Sequence, residues 1–201
     1  MQWVMSILIG VALSATCGFR IFIPLLGIGI ACRAGHLNID PGFQWIASYP
    51  ALVAFTIASI LEIATYYIPW LDNFMDTIAS PAAVVAGIIA TASVVTDISP
   101  LLRWSLAIIA GGGAAAAVQS ASVVARGAST AVTGGIGNPI ISTLELIASI
   151  IGTILAIVLP IFAIVFLIVI ILFFSRRKII TFFSGTSERT HSIPPHPERS
   201  S

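Results

Sequence analysis

From Pro139 to Phe174 the chain runs for 36 residues with Glu145 as the single charged side chain. No other feature constrains the fold as much. As one straight helix the run would reach roughly 54 Å, well past the ~30 Å hydrocarbon core of a bilayer. A helix inside a water-soluble core needs only about 10 to 14 apolar residues. Hydrocarbon is the solvent that such a run requires. Pro160 lies within it and is expected to kink the helix, because proline lacks the N–H that the ladder uses.

The remaining residues agree. Charged residues make up 8% of the chain and apolar residues 58%, where a soluble protein carries about 25% charged residues. The net charge is +1, with no basic stripe, so nucleic acid is not an expected partner. Cys17 and Cys32 lie in apolar segments without CxxC spacing, which implies neither a disulfide framework nor a zinc site. Met1-Gln2-Trp3 lacks the basic residues of a signal peptide, so the first helix is expected to be retained.

Four further apolar regions precede the long run. The first spans Trp3 to Cys32 and is interrupted by Gly18-Phe19-Arg20 and Pro24; the others cover about 50–68, 82–96 and 101–125. These runs are too continuous for barrel strands, which are ~10 residues of alternating polarity. Helices satisfy their own backbone groups in lipid. The expected fold is therefore all-α, a polytopic transmembrane helical bundle of about five spans with two broken or re-entrant segments. Residues 1–178 should form the bundle and 179–201 a polar, disordered, cytoplasmic tail. His191 and His196 lie in that tail and are assigned no metal.

Arg176-Arg177-Lys178 after the last region points to the cytoplasm by the positive-inside rule. Counting back through five spans puts Arg33 and Arg103 on that side, with Arg126 and the N-terminus opposite. Making both the first and last regions hairpins would move Arg33 and Arg103 outside. The expected location is the cell membrane, a bacterial inner membrane, with several passes.

Ionisable residues inside spans are costly and usually face other helices or a wet cavity. Arg20, Glu62, Arg126 and Glu145 are the candidates, joined by Asn138. Ser142, Glu145, Ser149 and Gly152 recur every three or four residues and share a face; so do Gly112, Ala115, Gln119, Ser122 and Arg126. Ala86, Ala90, Ser93 and Asp97 form a third such row. Small and polar rows let helices pack closely, and they can also line a polar path. Glu62 precedes Tyr66 by one turn, so that hydroxyl or an arginine could hold it. Asp72 and Asp76 share a helix face but lack a third ligand, so no metal site is assigned.

Two irregular segments stand out. One runs from Ser14 through Gly18 and Arg20 to Pro24. The other runs from Ser129 through Gly134, Gly135 and Gly137 to Asn138 and Pro139. Both read as helix, break, helix, with glycine ending one helix and proline in the first turn of the next. A helix start such as that at Pro139 directs free N–H groups at whatever sits there. Paired breaks in two halves can mark a transporter site, and in a five-span count the helices leading into them run oppositely, as an inverted repeat would. A tight interhelical turn is the plainer reading of the glycines.

The chain resembles the bacterial membrane family built on the domain of unknown function DUF4126. The resemblance rests on Gly18-Phe19-Arg20 with Pro24, on Glu62 followed by Ile68-Pro69-Trp70-Leu71-Asp72 and Asp76, and on Ala128-Ser129-Thr130 through Gly135-Ile136-Gly137-Asn138-Pro139 to Glu145. It covers roughly residues 5 to 172. Relatives often carry Asp-Lys before the Ile-Pro, where this chain has Tyr66-Tyr67, so any role of those charges does not carry over. The resemblance implies a polytopic membrane protein with no established activity.

Two functional readings follow. One is a small transporter or channel-like protein with a polar site at the breaks near Arg20 and Pro139, taking a small ion or an anionic solute. The other is a structural or assembly protein that packs with membrane partners or a second copy through small-residue faces, Gly111 to Ala117 above all. Besides the lipid bilayer, these are the expected partners. An enzyme is not expected: no Ser-His-Asp, Cys-His or HExxH arrangement is present, and no cofactor motif.

Overall fold

A computed structural model of the chain describes residues 2–65 and 69–160, together with 162 and 165; for 2 and 69–76 only the backbone is described. Tyr66, the side chains of Asp72 and Asp76, the Arg176–Lys178 cluster and the tail with His191 and His196 lie outside the described residues. The described residues fall in one unit, Met1–Leu167.

The fold is all-helical. In order come α1 (Gln2–Cys17), α2 (Phe22–Arg33), a 3₁₀ turn (Pro41–Ala47), α3 (Tyr49–Thr65), α4 (Pro69–Val94), α5 (Pro100–Leu106), a π-helical stretch (Ala107–Gly112), α6 (Gly113–Thr133) and α7 (Asn138–Val158). Among the described residues, three stretches are long and apolar enough to cross a membrane: Thr77–Val94, Pro100–Thr133 and Asn138–Val158. A fourth crosses if the 3₁₀ turn and α3, bent by 60°, count as one span. At 16 and 12 residues, α1 and α2 reach only ~24 and ~18 Å, short of a bilayer core.

Side chains are sorted as hydrocarbon would sort them. On α7 the buried residues are Asn138, Ser142, Glu145, Ser149, Gly152, Thr153 and Ala156, while Ile140, Leu144, Ile147, Ile151 and Ile154 point outward. The anticipated rows on α6 and α4 also face inward: Ala115, Gln119, Ser122 and Arg126 on one, Ala86, Ala90 and Ser93 on the other. Asp97 leaves its row, sitting exposed beyond the end of α4 with φ 63°.

α1 and α2 form a hairpin that turns inside the bundle. Thr16 lies beside Thr153, with hydroxyls 3.3 Å apart. Arg20 reaches back to Ser142 on the same helix. A Cβ at Gly27 would touch Thr153 and approach Ile157. The chain thus runs up α7 toward its start, reverses near Arg20, and returns, so the start of α1 and Arg33 lie at one end. This corrects the expectation of an N-terminus opposite Arg33. The reversal needs Gly18, where a Cβ would stand 2.6 Å from the carbonyl oxygen of Ala115.

A second expectation also falls. Ser14 donates to the carbonyl of Gly111, and Gly18 abuts Ala115 and Gln119, so α1 and α6 run parallel. The two helices leading into the breaks therefore do not run oppositely, and no inverted repeat relates them. The second break is a tight turn in which Gly134 and Gly135 adopt φ of 65° and 91°, values that glycine tolerates best. The long apolar run breaks at proline as expected: Leu159, just before Pro160, leaves the helix at φ −138°, ψ 69°.

Glycines make the closest helix contacts. A Cβ on Gly87 would meet Ala115 and Ser14, and one on Gly112 would meet Ile88 and Val84 of α4. Gly111, Gly112 and Ala115 are thus spent on contacts within the chain. At the other end of the bundle, Arg103 pairs with Asp40, whose backbone N–H donates to Ser93 at 2.8 Å. That pair ties the loop after α2 to the ends of α4 and α5.

Candidate functional site

The hairpin brings Arg20 into the bundle at the level of Ser142 and Glu145. Its Nη2 donates to the Ser142 carbonyl at 2.8 Å and to the Ser142 hydroxyl at 2.5 Å, and lies 3.9 Å from Glu145 Oε2. From α6, Arg126 Nη1 donates to the same Oε2 at 3.2 Å. Arg20, Arg126 and Glu145 are only 1, 2 and 5% exposed. Two guanidinium groups from different elements therefore converge on one carboxylate in the interior. Burial of this kind is costly for each charge and is offset only by close pairing and hydrogen bonds.

Helix spacing positions the group. Glu145 lies on the inward row of α7, one turn from Ser142 and Ser149. Arg126 lies one turn beyond Ser122 on the inward row of α6. Arg20 follows the last turn of α1, where the N–H groups of Gly18, Phe19 and Arg20 close on Ala15 and Thr16. Hydroxyls extend the polar interior: Ser149 donates to the Thr16 carbonyl at 3.4 Å. Asn138 Nδ2 donates to Thr130 Oγ1, which donates to the Arg126 carbonyl, each at 3.0 Å.

Of the two partners expected for Glu62, Tyr66 lies outside the described residues, and the contacts that hold its carboxylate are backbone ones. Its carboxylate accepts the N–H of Ile21 at 2.8 Å and that of Phe22 at 3.3 Å. These are orphan donors at the start of α2, where Ile21 offers no capping side chain. α3 thus caps α2 from outside, and Pro24, within the first turn, has no N–H to satisfy. The absence of Ser, Thr, Asp or Asn before Phe22 was the available signal for a distant cap.

Of the anticipated residues, Arg20, Arg126 and Glu145 meet directly, Glu62 holds the backbone beside Arg20, and Asn138 joins through Thr130. Gly18 and Pro24 frame the first break; Gly134, Gly135, Gly137 and Pro139 form the turn that starts α7, where the Gly137 N–H donates to Thr133 Oγ1 at 3.0 Å. Gln119, also in the inward row of α6, is buried beside Gly18. Among the described residues no three His, Cys, Asp or Glu side chains gather as a metal site would require.

A carboxylate that parts from its guanidinium partners can take up a proton. A guanidinium fork can hold an oxyanion. The arrangement lies at the tip of a helical hairpin in a bundle whose outer face is apolar. Those features define a class, an integral membrane helical bundle with a buried charged centre. Within it the chain belongs to the family of the domain of unknown function DUF4126, whose pattern matches residues 7–178. Among curated proteins and among solved structures, none matches the chain.

Proposed function

We propose that this protein is a small transporter or channel-like membrane protein whose polar site is the Arg20–Glu145–Arg126 cluster. The observation that carries the reading is the meeting of three buried ionisable groups at the tip of a hairpin that stops within the bundle. Helix packing alone calls for small residues, not for charges. The guanidinium groups suit a small anion or anionic solute, and Glu145 suits a coupled proton or cation. No catalytic residue is proposed.

The site would lie in a cell membrane, a bacterial inner membrane. Arg33 and Arg103 share an end of the bundle with the last turn of α7, and Arg176-Arg177-Lys178 follow it in sequence. The positive-inside rule favours a cytoplasmic placement for that end. The alternative of an assembly protein docking through Gly111 to Ala117 is weakened, because Gly111, Gly112 and Ala115 already pack against α1 and α4.

The test is flux. Full-length protein in phosphatidylglycerol and phosphatidylethanolamine vesicles should pass chloride, nitrate or phosphate, or protons, above protein-free vesicles. Glu145→Gln should abolish this while the protein stays folded in the membrane. No flux of any of these ions, or flux unchanged by Glu145→Gln, would overturn the reading.

A further inference from the structure

Away from the charged cluster, α2 and α3 leave an open groove of about 330 Å³, lined by Leu26, Ile30, Leu52, Val53, Thr56 and Ile57. Its only hydroxyl is already used: Thr56 Oγ1 donates to the Leu52 carbonyl at 2.7 Å. The lining therefore has no side-chain polar group to spare for a polar solute. Such a lining suits a flexible hydrocarbon chain.

Helical spacing carries the groove to a cationic end. Leu26, Ile30 and Arg33 lie on one face of α2, and Ile57, Val53 and Tyr49 on one face of α3. The helices are antiparallel, since Glu62 meets the start of α2 while Arg33 meets the start of α3. The Arg33 guanidinium lies 3.9 Å over the Tyr49 ring, and its Nη1 donates to the Ala47 carbonyl at 3.2 Å. Both side chains are exposed, and so is Trp45 nearby. Exposed Trp and Tyr beside Arg characterise the level of lipid headgroups. A guanidinium has five N–H donors, so contact with Ala47 leaves Arg33 able to hold an oxyanion.

We infer that this groove binds an anionic phospholipid. One acyl chain lies along Leu26, Ile30, Val53 and Ile57, and the phosphate sits on Arg33 beside Tyr49. The apolar length excludes a free anion as the whole ligand, and Arg33 selects the headgroup charge. The site requires only that the bundle lie in a bilayer, not that it transport anything.

The experiment uses the purified full-length protein in a neutral detergent. Dioleoyl phosphatidylglycerol and dioleoyl phosphatidylcholine are titrated separately, with bound lipid counted by native mass spectrometry. Phosphatidylglycerol should bind about fivefold tighter, the increment of one arginine at a lipid surface. Arg33→Gln should bring it down to the phosphatidylcholine level. Ile57→Trp should weaken both lipids by filling the groove, and glycerol 3-phosphate, which has no chains, should not bind. The two variants sit at exposed positions on different helices, so if one failed to fold the other would decide. Equal affinity for the two lipids, a preference that survives Arg33→Gln, or binding indifferent to Ile57→Trp would overturn the proposal.

Discussion

The N–H of Ile21 donates to the carboxylate of Glu62 at 2.8 Å, so one helix is capped by a side chain of another. The contact fixes the reversal that carries Arg20 into the interior. Glu62→Ala should destabilise the protein by about 0.5–2 kcal/mol, the usual cost of losing an N-cap. Glu62→Gln keeps a carbonyl acceptor and should cost less. Unfolding in detergent, followed by loss of helical signal, measures both.

The pairing of Arg126 with Glu145 should show strong coupling. Glu145→Leu removes the carboxylate that both Arg20 and Arg126 approach and should cost about 3–5 kcal/mol, whereas Arg126→Leu leaves Glu145 facing Arg20 and should cost less. The double variant should be less unstable than the sum of the singles, because the contact between Arg126 and Glu145 is lost only once. A double-mutant cycle on unfolding free energies reads the difference, and strict additivity would show that the two residues act independently.

Two glycines should behave oppositely. Gly18→Ala drives a methyl into the Ala115 carbonyl and Val118, and should cost about 1–3 kcal/mol of overpacking. At Gly113 a Cβ meets nothing within 4 Å. Gly113→Ala should therefore be neutral or stabilise by up to ~1 kcal/mol, through the better helix propensity of alanine. Melting temperatures of the two variants against the parent protein make the comparison.

The parts of this arrangement that were legible in the sequence are those governed by local periodicity. The row Ser142, Glu145, Ser149, Gly152 announced the inward face of α7, and Gly18 with Pro24 announced a break. Pro160 announced an interruption of the long apolar run, which falls at Leu159. What the sequence did not disclose was direction. A Gly-Phe-Arg break can bend a helix or reverse it, and here the outcome depends on Gly27 seating against Thr153, far away in sequence. Reading the first region as a single crossing led to the unsupported inverted repeat. The ion pair of Asp40 with Arg103 joins the loop after α2 to α5 with no shared period, and the Glu62 cap was signalled only by the lack of a capping residue before Phe22.

The sidedness of the hairpin tests the account most directly, since everything assigned to Arg20 depends on the chain turning back inside the bundle. In a background with Cys17→Ala and Cys32→Ala, single cysteines would be placed by Trp3→Cys, His36→Cys and Ile136→Cys, all at exposed positions, and labelled in sealed vesicles with a membrane-impermeant maleimide. The account predicts that positions 3 and 36 react from one side and position 136 from the other. Labelling of positions 3 and 36 from opposite sides would mean that the first apolar region crosses the membrane, and would contradict the buried hairpin.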